Sequence, residues 1–420
     1  MNMYLLLILL SSLRMEVEPP NLFPYRGIYI YPFAAVKFQE YLPYIRNSEI
    51  NCVIVDFKSA EGYVTYDSNV PLAKQMGAEL PIIKLENLIR ICKEEGLRLV
   101  GRVVVFQDPI MAKYANGKYS IKGQDKKIWV DGHGLHWVDP CNNEVQKYII
   151  SIATDLAKRG VDEIQFDYIR FPSSTGDFKP YIVRCKSKRD VIANFLSEAY
   201  KVLKPYGIQI SGDVYGCVLW IPTLQQEGQS LEAMSPFLDV ICPMLYPSHF
   251  ASSHSSNPRE RDYNLIYGSV KRGVNLAGEC KFVPYIQGFD YKTQGGFGPE
   301  YIANQIRAVQ NSPAWGYIIW HAASKYESLW ALMNSDKMMA GRKKPTTLEG
   351  KIMEVLEGEV KLFLSSQGGD VEFEELENGI VKVKLLDGCL RSPLEYQFYL
   401  KWVEARIKEK FQEVKEVKGI

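Results

Sequence analysis

Between Gly27 and Gly341 the chain alternates short apolar runs with longer amphipathic stretches. Eight runs read as strands: 27–31, 52–57, 97–106, 163–168, 208–214, 240–245, 282–286 and 316–320. Most are unbroken Val, Ile and Tyr sequences, the signature of strands covered on both faces. The stretches between them carry helical spacing. In 143–159, Val145, Tyr148, Ile149, Ile152 and Leu156 share one face, and 190–203 and 299–309 repeat the pattern. Eight strands, each followed by a helix, predict an α/β fold of the (β/α)8 TIM-barrel type. An open doubly wound sheet would place a glycine-rich phosphate loop after its first strand, and Tyr31-Pro32-Phe33 is nothing of the kind.

The pattern changes after the short basic, Pro-containing segment 341–347. Residues 348–364 read as a helix, with Ile352, Leu356, Val360 and Phe363 at helical spacing. Two alternating strands, 371–376 and 380–386, are joined by Glu377-Asn378-Gly379, a strong hairpin turn. A second helix covers 394–411. The expected organisation is a barrel over 21–341, a linker over 342–347 and a small αββα domain over 348–420.

Composition narrows the function. Lys and Arg number 50 against 49 Asp and Glu, a net charge of +1. No summed charge draws the chain to nucleic acid or to an anionic membrane. The eight cysteines contain no Cys-x-x-Cys pair, so neither a disulfide framework nor a cysteine zinc site is expected. Tyr4 to Leu10 form an apolar run too short to span a bilayer. It reads either as a signal-peptide core or as sequence upstream of a true start at Met15. Export or envelope attachment and a cytoplasmic location both stay open.

In a barrel of this type chemistry sits at the C-terminal ends of the strands. Charged and aromatic residues recur there: Asp56 and Lys58 after strand two, Arg102 in strand three, Asp167, Tyr168 and Arg170 after strand four, and Asp213 in strand five. Strand six leads to Tyr246 and His249, strand seven to Gln287 and Asp290, and strand eight to Trp320 and His321. The long segment 107–142 adds His133, His136 and Trp137 and reads as a lid or binding loop. A groove of carboxylates, arginines and rings suits glycoside hydrolysis, in which one protonated carboxyl serves the leaving oxygen and one ionised carboxyl faces the sugar cation. Asp167 and Asp213, on adjacent strands, are the candidate pair, with Arg102 or Arg170 holding one of them ionised. Tyr168, Tyr246, Trp137 and Trp320 are candidate stacking surfaces. Bland readings stand beside these: an Asp167–Arg170 ion pair closing the barrel, Asp56 paired with Lys58, and histidines satisfied within their loop. The His spacings match no metal-ligand pattern, so no metal and no cofactor are expected, and a metal-dependent hydrolase or deacetylase is the weaker alternative. A Ser-His-Asp enzyme would need a Gly-x-Ser-x-Gly elbow, which is missing.

Several ordered motifs carry a family resemblance: 161–172 (VDEIQFDYIRFP), 53–58 (VIVDFK), 62–68 (GYVTYDS), 102–106 (RVVVF), 137–140 (WVDP) and 243–249 (PMLYPSH). Together they resemble the glycoside hydrolase-like domain family, long filed under unknown function and grouped with the glycosyl-hydrolase-like (β/α)8 barrels. In related barrels the strand-four Asp is commonly the nucleophile, with an acid on strand five. The resemblance thus implies Asp167 and Asp213 for these roles, a carbohydrate substrate and no obligatory metal. The usual strand-five acid is Glu, so Asp213 has the shorter reach. A scheme with its nucleophile on strand seven finds only Gln287 and Asp290. A non-catalytic barrel that binds carbohydrate or cell envelope is the alternative in a different class. The C-terminal segments 367–373, 379–385, 388–393 and 414–417 resemble the NifU-type iron–sulfur scaffold domain. That family carries Cys-x-x-Cys, and here the motif reads Cys389-Leu390-Arg391-Ser392. The implied cluster lacks half its thiolates, so a structural or protein-contact module is expected.

Overall fold

The computed structural model describes residues 24–173, 180–221, 223–250, 261–293 and 296–334, and in the C-terminal part 348–356, 360, 364, 369–387, 389 and 393–420. The apolar run at 4–10, the linker at 341–347 and His254 lie outside the described residues.

Eight parallel strands close into a barrel. They are β1 (Tyr25–Ile30), β2 (Cys52–Lys58), β3 (Arg98–Val104), β4 (Glu163–Asp167), β5 (Gln209–Tyr215), β6 (Val240–Leu245), β7 in two parts (Lys281–Phe282 and Tyr285–Gln287) and β8 (Gly316–Trp320). Each pairs with the next, and β8 returns to β1 through the register Tyr25↔Gly316 to Ile28↔Ile319. The expected single run at 282–286 is split because Pro284 lacks an N–H. The ladder bridges the gap, since the Val283 N–H donates to the Ile241 carbonyl at 2.9 Å and the Ile318 N–H to that of Pro284 at 2.9 Å.

The helices α1 (Leu85–Glu94), α2 (Asn143–Arg159), α3 (Lys188–Leu203), α4 (Arg261–Val274), α5 (Pro299–Gln310) and α6 (Glu327–Met333) belong to the outer layer. The sequence marks their ends. Asn142 and Ser187 cap α2 and α3 by accepting the Glu144 and Asp190 N–H groups, and Gly160 closes α2 in the left-handed region. After β1 and β5 only short helices form, such as Pro32–Ala35 and Leu231–Met234. A helix after every strand is therefore only loosely realised.

Side chains alternate across each strand. Outward residues such as Val53, Val55, Leu99, Val103 and Ile319 join the large core beneath the helices. Inward residues Tyr25, Tyr29, Cys52, Ile54, Val100, Cys242, Tyr285 and Ile318 fill the barrel itself. Cys141 and Cys185 are joined by a disulfide and the other six cysteines are free, a single bridge that the sequence reading did not anticipate. The loops after β3 and β4 lie side by side, with Lys122 and Gly123 paired to Ile182 and Tyr181. This brings together two cysteines 44 residues apart in sequence.

The small C-terminal domain has its own core, including Ile352, Leu356, Val371, Val383 and Ile407. Helix α7 (Leu348–Val355) precedes the antiparallel pair β9 (Gly369–Glu377) and β10 (Ile380–Asp387), and α8 (Pro393–Lys410) follows. Asn378 and Gly379 both have positive φ, as a two-residue hairpin turn requires. One element exceeds the expected αββα order. Glu416–Gly419 forms β11, parallel to β10, because Val414 and Val417 bury themselves in the same core.

Gly316 opens β8 at φ +117°, where a Cβ would lie 2.0 Å from the Tyr25 carbonyl oxygen across the closing seam. Gly316→Ala is therefore expected to destabilise the barrel by about 3 kcal/mol or more, from strain and overpacking together. The urea unfolding midpoint checks it.

Candidate active site

Alternation along β2 to β5 turns Asp56, Arg102, Asp167 and Asp213 into the barrel interior near its C-terminal end. Arg102 is 7% exposed, Asp56 and Asp167 5% and Asp213 2%. The guanidinium is the hub. Its Nη1 donates to Asp56 Oδ1, its Nη2 donates to Asp167 Oδ2, and its Nε faces Asp213 Oδ2 at 3.6 Å. Asp56 also accepts the Tyr29 hydroxyl at 2.8 Å, and the Tyr29 ring centre lies 5.6 Å from the guanidinium. Asp167 accepts the Tyr168 N–H at 2.5 Å. Tyr168 sits at φ +53°, an uncommon backbone state for a bulky residue, directly after this carboxylate.

The carboxyl groups occupy different environments. Asp167 receives two donors, one of them charged. Among the described residues no donor reaches the buried Oδ1 of Asp213. Burial, then the neighbouring Asp167 charge, pushes Asp213 well above the usual carboxylate range. Burial also raises Asp56, opposed by Arg102. One cation thus serves three carboxyls, and the least satisfied of them favours its proton.

Arg170 corrects an expectation. It pairs with no carboxylate at the hub. Its guanidinium sits 4.8, 4.9 and 4.6 Å from the ring centres of Trp137, Tyr168 and Tyr215, and it is Arg102 that contacts Asp167. The Trp137 indole N–H donates to Asp131 at 2.9 Å. Asp56 pairs with Arg102 rather than with Lys58. Lys58 is fully buried, 3.0 Å from Asp108 Oδ2 and donating to the Val104 carbonyl at 2.9 Å. Gln287 is occupied too, accepting the Ser248 N–H at 3.1 Å and donating to the Phe289 and Tyr291 carbonyls at 2.9 and 3.2 Å. It ties the loops after β6 and β7 together.

Tyr246 packs beside the hub and stacks on Trp320, with ring centres 5.5 Å apart. His249 is exposed beyond it at 5.6 Å. His321 accepts the Ala323 N–H at 3.1 Å in its own turn. His133 is exposed on a turn organised by Asp131, and His136 is half-buried nearby. Burial lowers the pKa of His136, His249 and His321, leaving these imidazoles neutral at pH 7. Sequence reading missed Tyr29 and Phe289, because Tyr29 lies inside β1 and Phe289 beyond the end of β7, away from the strand ends that were read. Period-two alternation from Gly27 marks Tyr29 as inward-facing. Among the described residues no group of three or more His, Cys, Asp or Glu side chains is disposed to hold a metal, and no helix is long and apolar enough to cross a membrane.

In the C-terminal domain Cys389 is fully buried. A Cβ on Gly369 would lie 2.3 Å from its sulfur, so β9 packs directly on it. One covered thiol, with Ser392 at the second motif position, does not fit the iron–sulfur cluster of a scaffold domain.

The raised pKa of Asp213 has a sign that stability can read. The folded state holds the proton more tightly than the unfolded chain, so stability falls as pH rises through the unfolded value near 4 and on towards the folded one. Asp213→Asn removes this loss. Its melting temperature is expected to gain on wild type progressively as pH rises from about 4, as thermal melts across pH will show.

Residues 352–418 match the NifU-like domain model. A hypothetical protein from Ruminiclostridium thermocellum ATCC 27405 is 32% identical over 44% of this chain and 97% of its own, with a TM-score of 0.41. The PgaB (BpsB) glycoside hydrolase domain from Bordetella bronchiseptica is 12% identical over 74% of this chain and 98% of its own, with a TM-score of 0.55. The β-galactosidase from the psychrophilic Marinomonas ef1 is 10% identical over 78% and 60%, with a TM-score of 0.52. The last two share the fold. A search of curated proteins gives no match. Residues 27–326 match the model of the family described as "Putative glycosyl hydrolase domain", and the chain belongs to that family.

Proposed function

We propose that the barrel hydrolyses glycosidic bonds in a poly- or oligosaccharide, with Asp213 as the proton donor and Asp167 as the carboxylate that stabilises or traps the sugar cation. The observation that carries this reading is one arginine shared by two carboxyls in opposite environments. Two-carboxylate chemistry needs one member that keeps its proton, and burial raises the pKa of Asp213. Both carboxyls contact one guanidinium, which keeps them inside the roughly 9.5 Å outer limit of the inverting arrangement. Asp213, with its pKa raised by burial and its Oδ1 without a donor, is the member suited to give a proton to the glycosidic oxygen. Arg102 pairs with Asp167, and the water that completes hydrolysis gives its oxygen to the anomeric carbon and a proton back to Asp213. Asp56 and Tyr29 fix the far side of the guanidinium. The C-terminal domain serves as a structural or protein-contact module.

A second reading has an observation of its own. Asp167 and Asp213 are only 5% and 2% exposed, as in a barrel whose ion pairs are structural and whose mouth only binds carbohydrate. A polysaccharide panel separates the two. Under the hydrolytic reading Asp167→Asn loses at least about a hundredfold in rate and keeps its affinity. Under the binding reading wild type already shows no turnover. Asp213→Asn is expected to lose a similar factor and to abolish the alkaline limb of the pH–rate profile. Exhaustive chelation is expected to leave the wild-type rate unchanged, and loss of activity on chelation would overturn the metal-free scheme.

A further inference from the structure

From Tyr246 a series of rings leads outward. Trp320 stacks on Tyr246, and Phe289 meets Trp320 edge-on at 5.3 Å. His249 lies 6.0 Å from Phe289 and 5.9 Å from Tyr291. Exposure climbs along the series, from 8% at Tyr246, through half-buried Trp320 and Phe289, to 47% at Tyr291. The rings thus form a ramp over the ends of β6, β7 and β8, rising from the carboxyl groups to solvent. The ramp is built to hold its shape, because Gln287 bonds the Ser248, Phe289 and Tyr291 backbones at once.

The β3–β5 side of the mouth is different. There Trp137, Tyr168 and Tyr215 surround the Arg170 guanidinium, and Trp137 is 2% exposed. The Cys141–Cys185 disulfide and the pairing of 122–123 with 181–182 bind the two loops on that side together. Its rings are closed around one buried cation, whereas over β6–β8 exposure reaches 47% at Tyr291, with Lys292 Nζ over that ring at 5.0 Å. Pyranose rings present apolar C–H faces to aromatic rings and hydroxyls to polar tips.

We propose that this ramp is a binding platform for several consecutive neutral pyranose units, hexoses or N-acylated hexosamines, of a chain that leaves the carboxyl pair over β6–β8. The platform rests on the carbohydrate reading above but not on turnover. Calorimetric titration of the full-length chain, and of its Asp167→Asn form where wild type cleaves, with cello- and chito-oligosaccharides of two to six units tests it. Affinity is expected to rise with length in at least one series. Phe289→Ala and Tyr291→Ala are each expected to weaken hexamer binding about tenfold with little change for the dimer. Tyr63→Ala, an exposed ring in the loop after β2, is expected to change neither. Unchanged melting temperature in Tyr291→Ala shows that the loss is local, since that side chain is largely exposed. Length-dependent binding without hydrolysis in any form sinks the catalytic reading and keeps the ramp. Hydrolysis with hexamer affinity unchanged in both ramp variants overturns the ramp, as does affinity confined to polyuronate chains or absent for every oligosaccharide.

Discussion

One buried guanidinium organises the mouth of this barrel. Arg102 reaches carboxyls from β2, β4 and β5, so the geometry of three strands depends on a single side chain. Burying an arginine costs several kcal/mol unless its donors are satisfied. The surplus of carboxyls matters as much as the pairing. Three anions around one cation in a dry site repel each other, and the arrangement relaxes by keeping a proton on the member with the fewest donors, Asp213.

The barrel makes that arrangement available through two simple periodicities. Alternation along each strand sends every second residue inward, so Asp56, Arg102, Asp167 and Asp213 meet although they are spread over more than 150 residues of sequence. The loops then divide the labour. Those after β3 and β4 are bound to each other and close around Arg170. Those after β6 and β7 are bound through Gln287 and carry rings whose exposure rises to 47% at Tyr291.

Much of this was legible in the sequence. Largely apolar runs marked all eight strands, because strands covered on both faces admit polar residues only where the interior of the barrel supplies partners. The hairpin at Asn378-Gly379 followed from turn chemistry alone. Partner choice was the harder part. Arg170 is close to Asp167 in sequence, but on the residues after a strand end three positions do not place two side chains together, and Arg102 on the next strand does the pairing instead. Lys58 and Gln287 sit at strand ends with side chains suited to a ligand, and both are consumed by buried backbone and carboxylate partners that only the fold supplies. The Cys141–Cys185 bond was invisible for the same reason, since it depends on two loops packing side by side.

The opposite end of the barrel holds a second buried charge cluster against which the upper one can be set. There Arg98 meets a single carboxylate, Glu163, at 3.5 Å, with Gln209 at 3.0 Å and the Tyr25 hydroxyl completing the set. Between the two charges the Tyr25 hydroxyl donates and the Gln209 Oε1 accepts, and the set lies at the N-terminal face, where barrels of this architecture carry stability rather than chemistry. The upper cluster has the same kind of parts in a different ratio. A fold that needed only closure would have no use for two further carboxyls beside Arg102, each raising the cost of ionising the others. That excess, placed at the face where loops can admit a ligand, is the physical difference between the two clusters.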